Sequence, residues 1–227
     1  HGINRSARSF YHDLIDLVNK YDVLPWEVRR VVIENVQLMT EKKEIYIVIS
    51  QTGTVLSRIL KLITKAKYNH ASISVDKSLS TMYSFGRLNA YNPIWGGFVK
   101  ESPFFGTFKR FHKTKAVVLS VPVTEEQYKE LNVFLQYMYE HKREYHYNYL
   151  GLFLAWFKIV YAGKNSYYCS EFVRAMLDKF DIVSENRFEK IIKPMSFLEI
   201  PEGRIVYSGS LKEYADFMRN KKHLQTV

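Results

Sequence analysis

The sequence is poor in cysteine, since its 227 residues contain a single thiol, Cys169. One cysteine excludes an intramolecular disulfide and every CxxC-type redox or metal motif. The sequence also lacks HExxH, and His141 and His146 are five residues apart, so they do not share a helix face. The glycine-rich phosphate-binding motifs GxxxxGK[ST] and GxGxxG are also absent. We therefore expect no metal, no nucleotide-phosphate cradle and no cofactor.

Long apolar runs are absent as well. The longest nearly uncharged one, Tyr149–Val160, contains Lys158 and is too short to span a bilayer. We interpret it as a buried core helix, with peripheral membrane contact as the alternative. The first ten residues, His1–Phe10, are polar and do not resemble a secretory signal. Together with the single cysteine, this predicts a cytoplasmic location.

What the sequence has in excess is positive charge and aromatic side chains. The formal net charge is +10, and there are 17 Tyr and 15 Phe. A basic surface favours anionic partners, but the basic residues cluster only modestly, at Lys109–Lys115 and Arg219–Lys222. This density is too low for a dedicated nucleic-acid arm, so we expect no specific nucleic-acid partner. The aromatics suggest a well-filled core and an aromatic-lined cleft.

The chain order predicts three parts. Residues 1–40 show two apolar helical stripes on either side of Pro25 and are interpreted as an N-terminal helical extension. Residues 41–210 form the main domain, and residues 211–227 are a basic C-terminal tail with a short helix.

Within the main domain, β-branched runs and alternating patterns predict strands, and apolar residues at helical spacing predict helices. Leu88–Phe111 shows no clear periodicity and is interpreted as a long functional loop. The predicted strands are 44–50, 69–76, 82–86, 116–121 and 205–207. The predicted helices are 55–63, 124–141 (with a Thr124–Gln127 capping box), 149–161 and 169–180.

Cys169 is placed at the start of a predicted helix whose apolar face holds Phe172, Val173, Met176 and Leu177. A helix N-terminus favours a thiolate and offers backbone N–H groups to an oxyanion. The alternative is that Cys169 is simply a small buried hydrophobe. A nucleophilic thiol needs a base within reach, and His70, at the first position of a predicted strand with Ser72 and Ser74 on the same side, is the candidate.

Several segments resemble one family, the circularly permuted NlpC-type papain-like superfamily, and particularly its YiiX-like branch. The similarity covers roughly Ile45–Tyr207. The segments that carry it are HASIS (70–74), YSFGR (83–87), GGFVKE (96–101), YNYLGL (147–152) and YCSEFV (168–173). The pairing of CSEFV with an upstream strand histidine is the most specific part of it.

The resemblance implies an α+β fold: a permuted papain-like core with an antiparallel sheet packed on helices, with Cys169 as nucleophile and His70 as general base. In this family the residue that orients the histidine is often a Glu on the following strand, where this sequence has Ser84. Two candidates are therefore open: Ser84 itself, or Glu101 reaching in from the loop beyond Gly96 and Gly97.

The remaining candidates are substrate-binding. The backbone N–H of Cys169 would hold the oxyanion, helped by Tyr68 or Tyr167, although core packing is the favoured interpretation of both tyrosines. Arg87 can bind a substrate carboxylate, with a surface salt bridge as its alternative.

Three functions follow as hypotheses. The first is a cysteine hydrolase that cleaves an amide or ester of a small molecule, peptide or lipid through an acyl-thioester. The second is a lipid-directed acyltransferase or phospholipase of the same fold. The third is a non-catalytic basic binding module, which the lack of an expected acidic orienting residue supports.

Overall fold

The computed structural model describes residues 25, 27–28, 30–31, 43–51, 67–89, 91–92, 95–184 and 188–225. The chain divides into two compact units, His1–Lys42 and Lys43–Val227. In the first unit, the described residues after Pro25 are helical at 27–28 and 30–31. Most of the predicted N-terminal extension and the predicted helix 55–63 lie outside the described residues.

The second unit has a mixed α+β fold built on one sheet of eight strands. The strands are β1 (Lys43–Gln51), β2 (His70–Ser74), β3 (Met82–Arg87), β4 (Gly96–Glu101), β5 (Lys115–Val123), β6 (His146–Tyr147), β7 (Ser166–Tyr167) and β8 (Arg204–Ser210). Their order across the sheet is β7-β6-β4-β3-β2-β1-β5-β8. Neighbouring strands are antiparallel except β6 and β7, which are parallel.

Helices cover both faces of this sheet. They are α1 (Gly106–Arg110), α2 (Glu125–Glu140), α3 (Tyr149–Trp156), α4 (Cys169–Lys179) and α5 (Leu211–Gln225), with 3-10 turns at Lys142–Glu144 and Pro194–Glu199. Among the described residues, no helix combines the length and apolarity needed to cross a bilayer. The Thr124–Gln127 capping box at the start of α2 is confirmed.

The alternation of side chains along β1 divides the core in two. Ile45, Ile47 and Ile49 belong to the larger cluster, which α2 and α4 close. Tyr46 and Val48 face the opposite way, into a smaller cluster with α1 and α5. Because successive strand residues point to opposite faces, a sheet covered on both sides buries nearly every position of its central strands.

This two-sided burial corrects the interpretation of β2 as a half-buried strand, since all five residues of His70–Ser74 are buried. The polar side of β2 is not solvated but lies under other side chains, among them Phe108, whose ring centroid is 6.2 Å from that of His70. The short helix predicted in the basic tail is confirmed. It forms α5, whose Leu211 and Tyr214 are buried in the smaller cluster.

The interpretation of 88–111 as one long loop is wrong. This segment contains β4, which pairs along its whole length with β3, from Met82↔Glu101 to Arg87↔Gly96, and it also contains α1. The two glycines that open β4 have no side chain and so hide the alternation that identifies a strand. Glu101 is therefore held at the end of a strand and not in a loop.

Candidate active site

Cys169 is the first residue of α4, as the sequence predicted. The four apolar residues of the predicted face, Phe172, Val173, Met176 and Leu177, are all buried in the larger core. At the helix start, a carboxylate oxygen of Glu171 accepts a hydrogen bond from the backbone N–H of Tyr168 at 3.2 Å. Packing along the helix and this cap fix the position of the thiol, which is buried at the N-terminal end of the helix dipole.

His70 opens β2, and the cysteine lies against the residue just before it. The Cys169 Sγ is 3.9 Å from the backbone oxygen of Asn69. The sulfur is also close enough to the His70 ring to raise the pKa of that ring. The sheet and α4 thus bring together two residues separated by about one hundred positions in the chain.

Glu101 completes the group. The His70 Nε2 lies 3.0 Å from Oε1 and 3.1 Å from Oε2 of this carboxylate. The hydroxyl of Ser72 donates to Oε2 at 2.6 Å and so fixes the carboxylate from a second side. Since Nε2 faces Glu101, Nδ1 is the ring nitrogen left for the thiol. The order of contacts is therefore Glu101, His70, Cys169.

The carboxylate reaches the ring across an intervening strand, β3, at a position that has no side chain. A Cβ on Gly86 would lie 3.1 Å from Glu101 Oε1 and 3.6 Å from His70 Cε1. The first of these distances is closer than ordinary van der Waals contact, so a larger residue would push against the carboxylate. Gly86 therefore provides the space in which Glu101 and His70 meet.

Of the two candidates for the orienting position, only Glu101 contacts the imidazole. Ser84 is buried, and its hydroxyl donates to the backbone oxygen of Ala71 at 2.6 Å. It stabilises the β2–β3 pairing and does not orient His70. Ser72 was not assigned a role from the sequence, although the alternation of β2 places it on the same side of the strand as His70.

The charges around His70 determine its protonation. Burial disfavours the imidazolium, but the Glu101 carboxylate and the hydrogen bonds to Cys169 and Glu101 outweigh it, raising the pKa of His70 to about 10. A negative charge within hydrogen-bond distance stabilises the protonated ring. At neutral pH the ring is thus an imidazolium, suited to pair with a thiolate and later to donate its proton.

Among the described residues, neither of the two tyrosines proposed to help hold the oxyanion is fixed in position by a hydrogen bond of its hydroxyl group. Tyr68 is buried in the larger core, and the ring of Tyr167 packs 5.4 Å from that of Phe85. These contacts agree with the packing interpretation.

The sequence did not single out Tyr147 as a site residue, but the charge of Cys169 acts on its hydroxyl. Burial first, and then the charges of Cys169 and two neighbouring tyrosines, raise the pKa of Tyr147 well above the ordinary value. Its hydroxyl is a stable hydrogen-bond donor.

A further asparagine ties this part of the site together. Asn148 is buried, and its side chain accepts from the N–H of Gly151 while donating to Glu171 and to the backbone oxygen of Tyr161. The start of α3 is thereby joined to the start of α4. The sequence showed Asn148 only as part of the segment before the cysteine helix.

In the part of the chain that the structure describes, no cluster of three or more His, Cys, Asp or Glu residues could hold a metal ion. No protein-family model matches the sequence, and no curated protein or solved structure is significantly similar to it.

Proposed function

We propose that the protein is a cysteine hydrolase of the permuted papain-like type, which cleaves an amide or ester through an acyl-thioester. The observation that carries this proposal is the continuous contact from Glu101 through His70 to Cys169 at the start of a helix. A thiol, a base and a group that orients the base are the three parts that nucleophilic catalysis by cysteine requires.

The geometry supports the following steps. The Cys169 thiolate attacks the substrate carbonyl carbon, and the resulting oxyanion lies near the backbone N–H of Cys169. The His70 imidazolium donates its proton to the leaving amine or alcohol, and the acyl group remains on sulfur. Neutral His70 then takes a proton from water, the hydroxide attacks the thioester, and the thiolate and the free acid are released. Glu101 holds the ring in one orientation throughout and stabilises its charged form.

The fold also supports the proposal. A helix that begins with the nucleophile packs on a mostly antiparallel sheet, one strand of which begins with the base, and the histidine precedes the cysteine in the chain. This arrangement is what the resemblance to the permuted papain-like superfamily implies. Glu101 supplies the acidic group whose absence was the main argument for a non-catalytic binding module.

The proposal is tested by trapping the acyl intermediate. With p-nitrophenyl acetate as substrate, the native protein should release nitrophenol in a burst of one equivalent and carry an acetyl group on Cys169 that mass spectrometry locates. Cys169→Ala should show neither, and His70→Ala should lose the burst. His112→Ala is the matched control, because His112 is exposed and lies outside the group. Equal nitrophenol release by the native protein and Cys169→Ala would overturn the proposal.

A second candidate, an acyltransferase or phospholipase acting at a lipid surface, is favoured by one observation. The segment interpreted as a core helix is largely exposed, which corrects that interpretation. Its exposed large apolar residues are Tyr149, Leu150, Phe153, Phe157, Ile159, Val160 and Tyr161. Exposed apolar residues concentrated in one segment are typical of an interaction site, and the exposed Lys158 and Lys164 add positive charge to the same segment.

Vesicle binding separates this candidate from a hydrolase of soluble substrates. The protein should co-sediment with phosphatidylglycerol vesicles, and this should persist at high salt because apolar insertion is not screened. The variant Phe153→Ser/Phe157→Ser should lose salt-resistant binding, whereas Val133→Ser, an exposed apolar residue on α2, should not. Binding that disappears entirely at high salt would contradict the lipid-surface candidate.

A further inference from the structure

Arg87 lies in a row of residues that pair across neighbouring strands of the sheet. It is the last residue of β3 and pairs with Gly96 of β4, and the next strand, β6, places Tyr147 against the same glycine. A Cβ on Gly96 would be 2.9 Å from Tyr147 Cδ2 and 2.5 Å from the Tyr149 hydroxyl oxygen. No side chain fits at this position. The two tyrosine side chains therefore lie over the bare backbone of Gly96, beside Arg87.

The guanidinium of Arg87 has an unsatisfied group at this place. Its Nη2 is buried and has no hydrogen-bond partner among the described residues. A buried, cationic N–H group without an acceptor is costly and rare in folded proteins. Burial, and next the charge of nearby Arg110, lower the pKa of Arg87, while Tyr147 and Tyr149 oppose this. No carboxylate is among the groups that act on the pKa of Arg87.

Tyr147 connects this arginine to the nucleophile. Tyr147 is half-buried, and two charges act on the pKa of its hydroxyl: that of Cys169 raises the pKa and that of Arg87 lowers it. In the strand register Tyr147 is in turn the partner of Tyr167 on β7, two residues before Cys169, so the row that begins at Arg87 ends close to the nucleophile in the chain. A substrate whose carbonyl lies at Cys169 and that extends along this row therefore places a further group beside Arg87.

We propose that Arg87, together with Tyr147 and Tyr149, forms a subsite for an anionic oxygen group of the substrate, a carboxylate or a phosphate, adjacent to the carbonyl that Cys169 attacks. A guanidinium presents N–H groups in a planar fork that matches two oxygens of either anion. The bound anion accepts from Nη2 and compensates the charge of Arg87. This inference rests on the proposed hydrolase function and adds a substrate class to it.

Alkylation of Cys169 by two reagents that differ in charge tests the subsite. Iodoacetate carries a carboxylate one bond from its reacting carbon, whereas iodoacetamide is neutral and similar in size. The ratio of their second-order rate constants reports attraction of the anion, while the iodoacetamide rate alone reports the thiol. We expect Arg87→Gln to lower the ratio about tenfold by removing the cation; because both rates are measured on the same variant, any change in the reactivity of the thiol itself cancels in the ratio. Arg87→Lys keeps the positive charge, so its ratio should lie between that of the native protein and that of Arg87→Gln.

Arg204→Gln is the matched control. It removes the same charge from β8, at the opposite edge of the sheet from β6 and β7, and it should leave the ratio unchanged. An unchanged ratio in Arg87→Gln, or an equal fall in both variants, overturns the subsite. A thiol inert to iodoacetamide in the native protein would instead overturn the proposed function.

A binding measurement that does not depend on thiol reactivity separates the two claims. At constant ionic strength, acetate or inorganic phosphate should raise the thermal midpoint of the native protein and of Cys169→Ala, because a ligand of the folded state stabilises it. Neither anion should do so in Arg87→Gln. The anion that gives the larger shift identifies a carboxylate or a phosphate, and phosphatidylglycerol vesicles added in place of phosphate distinguish a lipid headgroup from a soluble phosphate ester. Equal midpoints with and without every anion in the native protein overturn the subsite even if Cys169 proves reactive.

Discussion

The His70 Nε2 lies 3.0 Å from Glu101 Oε1, although 31 residues separate the two in the chain and a third strand, β3, runs between their strands. The contact is possible because Gly86 has no side chain at the point on β3 where the Glu101 carboxylate approaches the His70 ring. It makes the imidazole a fixed cation and places its other nitrogen toward Cys169. Most of the chemistry proposed for this site follows from this pair.

A methyl group at Gly86 should disrupt the pair. In Gly86→Ala, the new Cβ would meet Glu101 Oε1 at 3.1 Å and Val99 Cγ2 at 3.3 Å, so the carboxylate must move away from the ring. We expect the acylation rate of Cys169 to fall at least about tenfold, as small misplacements at an active site do, with secondary structure intact by circular dichroism.

Gly97→Ala is the matched control, because Gly97 pairs with Gly86 in the register. The three atoms nearest to a Cβ at Gly97 all belong to the side chain of Leu88, from 3.3 Å outward, and the end of a leucine side chain can adjust. Equal losses of activity in the two alanine variants would contradict the role given to Gly86.

Removing the charge of Glu101 should lower the pKa of His70. Burial pushes the pKa of this ring down, and the Glu101 carboxylate is the largest influence in the opposite direction. In Glu101→Gln the pKa of His70 should therefore fall well below about 10, measured from the pH dependence of the His70 Cε1–H resonance. Glu126→Gln, in the exposed first turn of α2, should leave that titration unchanged. A His70 titration unaffected by Glu101→Gln would contradict the ion pair.

The same pair should make folding stability depend on pH in one direction. The folded-state pKa of His70, about 10, exceeds its ordinary value of 6.5, so the folded protein binds the proton more tightly than the unfolded chain. The stabilisation is complete below pH 6.5 and is lost as the pH rises through about 10. Urea unfolding across this range should show that, as the pH rises, the free energy of unfolding of the native protein falls relative to that of His70→Gln. Parallel curves for the two proteins would contradict the raised pKa.

Arg87 should contribute little to stability in the absence of an anion. Since its Nη2 is buried without an acceptor among the described residues, Arg87→Met removes a desolvated cation and should leave the free energy of unfolding unchanged or higher. Arg174→Met is the comparison, because Arg174 bonds to Asp178 at 3.2 Å and to the backbone oxygen of Glu189 at 2.8 Å. It should lose about 1 kcal/mol. A loss from Arg87→Met as large as that from Arg174→Met would show that Arg87 has a structural role.

The sequence predicted the parts of the site that local patterns encode. The helix that begins at Cys169 and the strand that begins at His70 were both found, because apolar spacing and alternation are properties of neighbouring residues. Glu101 was left as one of two alternatives and placed in a loop, because its contact with His70 depends on the pairing of β4 with β3, which no local pattern records. The exposure of α3 was missed for a related reason: composition alone does not distinguish a buried apolar helix from an exposed one.

The central claim is that His70 holds Cys169 as a thiolate paired with an imidazolium. Its most direct test is the rate of alkylation by iodoacetamide as a function of pH, in the native protein and in His70→Ala. The account predicts a native thiol that iodoacetamide already alkylates at neutral pH, with a rate that changes again only as the pH approaches the His70 pKa of about 10. In His70→Ala the reactivity at neutral pH should disappear. A native profile that rises like that of an ordinary thiol, or one that His70→Ala leaves unchanged, would contradict it.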